Sequence, residues 1–163
     1  MTHDEPDNDE EEQLVKLLKL GHVKRWAIVD MTKEQTVADH SFRVVAIAMF
    51  LVQCLEVRCL GYEIMRRAFF HDLEESETGD MPSTNKPLTP VPIDKAALIV
   101  KIADIVEAII YAQRYAVRPD KILEFLEEKL GLNMHNLAVT LKLDIDDIKT
   151  PVHRVINLGN NYD

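Results

Sequence analysis

Within the segment 93-IDKAALIVKIADIVEAIIYAQRY-115, which shows no period of two, nearly everything in 98-LIVKIADIVEAII-110 is apolar, yet a carboxylate, Asp104, stands in its middle. Length and pattern make this segment a helix, and apolarity on most sides makes it a core helix. A carboxylate there needs a cation, a donor or solvent, because an unpaired buried charge is costly. A Lys or Arg from another helix is the plain solution.

The other segments share the helical period. Leu14, Leu17 and Leu18 mark a helix over 11-EEQLVKLLKLG-21, with Gly21 suited to its C-cap. Thr36 can cap a long apolar helix, 37-VADHSFRVVAIAMFLVQCLE-56. A third helix, 62-YEIMRRAFFHDLEE-75, buries Ile64, Met65, Ala68, Phe69 and Leu73 by its spacing. Pro119 opens another that is expected to end at Gly131; a further segment covers roughly 133–142. Asp144 starts a short last helix containing Thr150 and Pro151. Residues 22–35 lose the period, and 76–92 hold four of the seven prolines, so both are loops. No segment alternates and none repeats; the expected class is all-α, a bundle of about six to seven helices.

With 163 residues, 47% of them hydrophobic, a single packed domain is the default. The net charge of −9 is concentrated in residues 1–12, which carry seven acids and no Lys or Arg. Residues 1–12 are expected to form a disordered acidic arm, and 13–163 the folded domain. The body is then too weakly charged for a general duplex binder, so no nucleic-acid partner is expected. Cys54 and Cys59 are read as buried thiols rather than a disulfide scaffold. No signal peptide is visible, and the run 44-VVAIAMFLV-52 is too short to cross a bilayer, so a cytoplasmic protein with no membrane partner is expected.

Several polar residues sit oddly in these apolar helices. His40, beside Asp39, lies one turn into the second helix; His71 and Asp72 end the apolar stripe of the third; Asp104 interrupts the fourth. Each alone suits an ordinary role: a cap-region or core histidine, a His favoured by a helix C-terminus, a paired carboxylate. Together, two imidazoles and two carboxylates from three helices can close around one divalent cation. A mixed N/O set suits Zn, Mn, Co or Fe(II).

The quartet His40, 71-HD-72 and Asp104 in 101-KIAD-104, with 25-RW-26, 36-TVADHSFRV-44, 71-HDLEESETGDMP-82 and Lys86, resembles the HD-domain phosphohydrolases over about residues 14–115. It is nearest to bacterial 5′-deoxynucleotidases and to compact phage dATP triphosphohydrolases. The resemblance implies an all-helical, metal-dependent hydrolase of deoxynucleotides, with His40, His71, Asp72 and Asp104 as ligands of a Co, Mn, Zn, Fe or Mg ion. It makes Glu75 the acid that orients or deprotonates the attacking water, and Asp80 a second acid at the leaving oxygen. Taken alone, Glu75 is equally a solvated helix-end residue and Asp80 a turn residue after Gly79. Arg25 would bind phosphate. Trp26 would pack against sugar and base, or simply anchor the core. Ile28 would shape the base pocket and Pro82 another wall, while Lys86 and Lys101 would meet phosphate, with Lys101 equally suited to solvent.

The implied reaction is dATP to deoxyadenosine plus triphosphate. Phosphate release from deoxynucleoside monophosphates is the alternative, because the motifs are shared by both subfamilies. Asp104 follows Asp72 by only 32 positions, shorter than is usual in the nucleotidases. Residues after 115 match nothing named and are free for homo-oligomer contacts. The expected setting is the cytoplasm, a host's if the chain is phage-encoded. A nucleotide-sensing module without turnover is the alternative of another class, and a helical interaction protein a third. No G-x-x-x-x-G-K-[ST], H-E-x-x-H or G-x-G-x-x-G occurs.

Overall fold

The structure, a computed structural model, describes residues 8–79 and 94–161. Its helices are α1 (Asn8–Lys19), α2 (Val37–Cys54), α3 (Gly61–Phe70), α4 (Glu75–Thr78), α5 (Lys95–Tyr115), α6 (Asp120–Leu141) and α7 (Ile145–Asn161). Among the described residues there is no strand, only two isolated bridges, Lys24 with Thr36 and Met31 with Ala116. The all-α expectation holds.

α5 is the axis of the bundle: α2, α3, α6 and α7 all pack on it. Fourteen of its residues are buried, from Ala96 to Ala112, which is why its sequence is apolar on nearly every side. α2 enters the core by a full capping box. The Thr36 hydroxyl accepts from the Asp39 N–H at 3.1 Å, and the Asp39 carboxylate accepts from the Thr36 N–H at 3.3 Å. That start sets His40 one turn in, on the face turned towards α5. By length and composition α2 could cross a membrane. Here Val44, Ala48, Leu51 and Val52 join the core with α3 and α5 instead.

The loop 23–35 is sewn to both ends of its neighbours. The Val37 N–H donates to the Val23 carbonyl at 2.8 Å, and the Thr32 N–H to the Tyr115 carbonyl at 2.7 Å. This fixes Arg25 and Trp26 beside the C-terminal half of α5.

Some local expectations fail for reasons of packing. Gly131 does not end a helix: α6 runs through it to Leu141, because Leu126, Leu130, Met134 and Leu137 bury one continuous stripe. An exposed mid-helix glycine costs only about 1 kcal/mol, less than that stripe returns. α3 stops at Phe70 rather than reaching Glu75, and residues 71–74 form a turn. Its buried face is Gly61, Ile64 and Ala68, leaving Met65 and Phe69 exposed. Cys54 and Cys59 are exposed free thiols, not buried ones, since they fall at the end of α2 and in the turn before α3. Residues 8–12, expected in a disordered arm, lie in α1, where Asp9, Glu10 and Glu11 suit the positive end of the helix dipole.

Candidate active site

His40 is fully buried, and each side of its ring meets a different group. Nδ1 donates to Glu107 Oε2 at 2.5 Å. Nε2 faces His71 Nε2 at 3.2 Å, Asp104 Oδ1 at 3.2 Å and Asp72 Oδ2 at 3.5 Å. His71 is placed by the same logic. Its Nδ1 donates to the Ala68 carbonyl at 2.7 Å, so Nε2 turns inward, 3.1 Å from Asp72 and 3.9 Å from Asp104. The turn after α3 achieves this by i−3 hydrogen bonds, from the Leu73 N–H to Phe70 and from the Glu75 N–H to Asp72. It buries Asp72 and Glu75 together.

Two inward nitrogens with both Nδ1 atoms committed as donors, beside two carboxylates, form a set of lone pairs. His40, His71 and Asp72 offer atoms within 4.8 Å of one another, suited to hold a metal ion. The donor chemistry fits a divalent cation with nitrogen and oxygen ligands. Asp104 lies against both imidazoles, but its Oδ2 accepts from Lys101 Nζ at 2.7 Å. The cation that the sequence demanded for Asp104 is thus within its own helix.

The electrostatics agree with a cation site. Burial pushes the Asp72 carboxyl up, yet its hydrogen bond and charge partner His71 outweigh this and hold it well below the usual range. Burial also opposes ionisation of Asp104, and Lys101 and His40 overcome it. Burial and Arg25 push His40 down, while Glu107 and Asp104 push it up and win. Acids surround a place where positive charge is favoured.

Beside these groups opens a cavity of about 600 Å³, within the range of small-molecule sites. Arg66, Arg67, Phe70, Lys101 and Gln13 line it with His71, Asp72 and Asp104. Arg67 is held by Glu63 at 2.5 Å and by Asp94.

The solved structure of a cyanophage S-2L HD phosphohydrolase, DatZ, bound to dA and one catalytic Zn²⁺ ion, superposes with a TM-score of 0.76. It shares 20% identity and covers 88% of this chain and 96% of its own. The chain shares the fold of that HD phosphohydrolase. The model of the 5′-deoxynucleotidase YfbR-like family matches residues 13–91. A dATP triphosphohydrolase of Acinetobacter phage SH-Ab 15497 is 40% identical over 84 residues, 44% of this chain. The match spans only 40% of that relative's own length. The family resemblance read from the motifs is thereby met by a family model, a phage relative and a solved fold.

The fold brings His40, His71, Asp72, Asp104 and Lys101 together. Glu75 is buried at the first residue of α4, and Gly79 ends that turn of helix at φ +74°, a value that favours glycine. Arg25 and Trp26 sit on the far side of His40, and Ile28 is 69% exposed. None of these three is among the residues lining the cavity. Asp80, Pro82 and Lys86 lie outside the described residues.

Sequence reasoning missed Glu107, Gln35 and the arginines of the cavity wall. Glu107 carried a signal. It lies three residues after Asp104, on the same face of the same apolar helix, so the argument for Asp104 applied to it equally. Gln35, in an aperiodic loop, carried none.

Proposed function

We propose that the chain hydrolyses deoxynucleoside 5′-phosphates at a divalent cation held by His40, His71, Asp72 and Asp104, taking dATP to deoxyadenosine and triphosphate. The observation that carries this is the pair of imidazole Nε2 atoms 3.2 Å apart, each with its Nδ1 already committed to an acceptor. A bound divalent ion polarises a phosphoryl oxygen and lowers the pKa of its water. Glu75 orients the attacking water and takes its proton; water oxygen joins the phosphorus and the bond to the 5′-oxygen breaks. Asp80 supplies the proton to that leaving oxygen. Arg25 grips phosphate through its fork, Trp26 and Ile28 pack against sugar and base with Pro82, and Lys86 and Lys101 balance phosphate charge.

The cavity wall bearing Arg66, Arg67 and Lys101 supports a long phosphate chain, as does the name of the phage relative. The matching family model supports the second reading, phosphate release from deoxynucleoside monophosphates. The test is product analysis by ion exchange after incubation with dATP, dGTP, dAMP or ATP and Co²⁺ or Mn²⁺. Deoxyadenosine with intact triphosphate from dATP is expected. Turnover of dAMP alone would replace this by the nucleotidase reading, and nucleotide binding with no turnover by the sensing module. A single domain over residues 13–163, homo-oligomers, a cytoplasmic setting and the lack of nucleic-acid and membrane partners belong to the same proposal. Sedimentation velocity reads the oligomer.

A further inference from the structure

Glu107 is 2% exposed and accepts hydrogen bonds on both carboxylate oxygens. Oε2 takes His40 Nδ1 at 2.5 Å, and Oε1 takes Gln35 Nε2 at 2.6 Å. Gln35, also 2% exposed, accepts from Trp26 Nε1 at 2.9 Å through its own oxygen. Arg25 Nη1 at 3.4 Å and Arg43 Nη1 at 3.8 Å balance the carboxylate charge. A continuous line of three hydrogen bonds therefore joins the indole of Trp26 to Nδ1 of His40, the ring nitrogen opposite the inward Nε2. One face of α5 grips all of it. Asp104 meets one nitrogen of His40, Glu107 meets the other, and Tyr111 stacks on Trp26 with centroids 6.1 Å apart and planes 12° apart. Trp26 itself is held at φ +67°, a region a tryptophan enters only when its surroundings insist.

We infer that Glu107 is a positioning residue that couples the His40 metal site to the Trp26 loop through Gln35. Filling the site then resets Trp26, and the setting of Trp26 feeds back on the site. This rests on the metal reading above. The chain has a fixed polarity. Trp26 has only a donor to give, and His40 must donate from Nδ1 to keep Nε2 free for a metal. Between those two donors the line needs an amide and a carboxylate. With an amide at 107 instead, its NH₂ must face one neighbour. Facing His40, it forces the proton onto Nε2 and removes a ligand. Facing Gln35, it turns that amide over and sets NH₂ against the indole N–H. Either way one end of the line breaks. Exchanging the two residues restores every donor and acceptor: His40 donates to the amide oxygen of residue 107, and its NH₂ and the indole both donate to the carboxylate at 35.

The test uses wild type, Glu107→Gln, Gln35→Met and the double variant Gln35→Glu/Glu107→Gln. Zn²⁺ affinity is read by chelator competition, and Trp26, the sole tryptophan, by its emission. Zn²⁺ is expected to shift Trp26 emission in wild type. Glu107→Gln should weaken Zn²⁺ binding about 10- to 100-fold or shift Trp26 emission in the metal-free protein, and should uncouple the two. The double variant should recover both, an effect a merely structural carboxylate does not produce. Gln35→Met keeps the length without the amide; it should bind Zn²⁺ near wild-type strength and lose the emission response, which decides the matter if Glu107→Gln fails to fold. A wild-type response retained by Gln35→Met, or a double variant no better than Glu107→Gln, overturns the coupling alone. Absence of Zn²⁺ binding to wild type overturns the metal reading and the coupling with it.

Discussion

The two halves of α5 bury their side chains by different means. From Lys101 to Glu107 the helix turns two carboxylates inward and matches each one: Asp104 with the half-exposed Lys101, Glu107 with His40, Gln35 and Arg25. From Ala108 to Ala112 it buries apolar side chains, with only the Tyr111 hydroxyl needing a partner, the Lys33 carbonyl at 3.0 Å. Here α7 comes so close that a Cβ on Gly159 would lie 2.5 Å from Ile110 Cδ1. The first half depends on electrostatic completion and the second on shape. Substitutions in the first stretch should therefore strike metal and turnover, and those at Ile109 and Ile110 in the second should strike stability alone.

The largest effects should come at the charged half. Asp104→Ala is expected to lose bound metal and turnover together, measured by metal analysis after gel filtration and by dATP hydrolysis. Glu75→Ala should keep its metal and lose about 10²- to 10⁴-fold in rate, the usual contribution of a positioned acid or base. Equal metal content in Asp104→Ala and wild type would remove Asp104 from the ligand set. At the apolar half, Ile109→Ala opens a cavity at a residue 1% exposed and should cost about 2–5 kcal/mol in a urea melt. Turnover per folded molecule should be unchanged; a large drop would show that the halves are not separable. Gly159→Ala should cost about 1–3 kcal/mol by overpacking against Ile110, read as a lower melting temperature.

The smallest effect belongs to the first residue before α5. Asp94 caps the helix by accepting from the Ala96 N–H at 2.9 Å, and it pairs with Arg67. The Ala96 hydrogen bond, then Arg67, outweigh the effect of burial and lower its pKa. A lowered folded-state value means that the carboxylate stabilises the fold above the ordinary carboxyl range and ceases to do so as pH falls through the folded value. With its side chain 49% exposed, solvent screening limits Asp94→Asn to below about 1 kcal/mol at neutral pH. The difference from wild type should vanish in acid melts, and its persistence there would assign the effect to something other than charge.

Much of the site was legible because its chemistry is local in the sequence. The pair His71-Asp72, the glutamate three positions on, and Asp104 inside 98-LIVKIADIVEAII-110 are residue types that an apolar helix otherwise avoids. Thr36 was legible as a cap because a hydroxyl followed by an acid three positions later satisfies the first N–H groups of a helix without distant help. The break of α3 at Phe70 was not legible, since 67-RAFFHDLEE-75 contains nothing that stops a helix. His71, Asp72 and Glu75 are turned inward by i−3 bonds, which tertiary burial selects over the i−4 pattern. Gly131 misled for the converse reason: a glycine signals an ending locally, but the stripe from Leu126 to Leu137 outweighs it.

The sequence by itself determined that the chain folds as helices, that the segment of α5 is a core helix, and that His40, His71, Asp72 and Asp104 are the candidates for a cation site. Spacing, capping and the cost of a buried charge act over a few residues and are written in residue types. Only the tertiary structure decided how those side chains are oriented. Glu107 meets His40 across 67 positions and Gln35 across 72, and no local preference anticipates a hydrogen bond at such separation. Packing alone brings the donor of one loop to the acceptor of a distant helix, and that pairing leaves the inward nitrogen of His40 free.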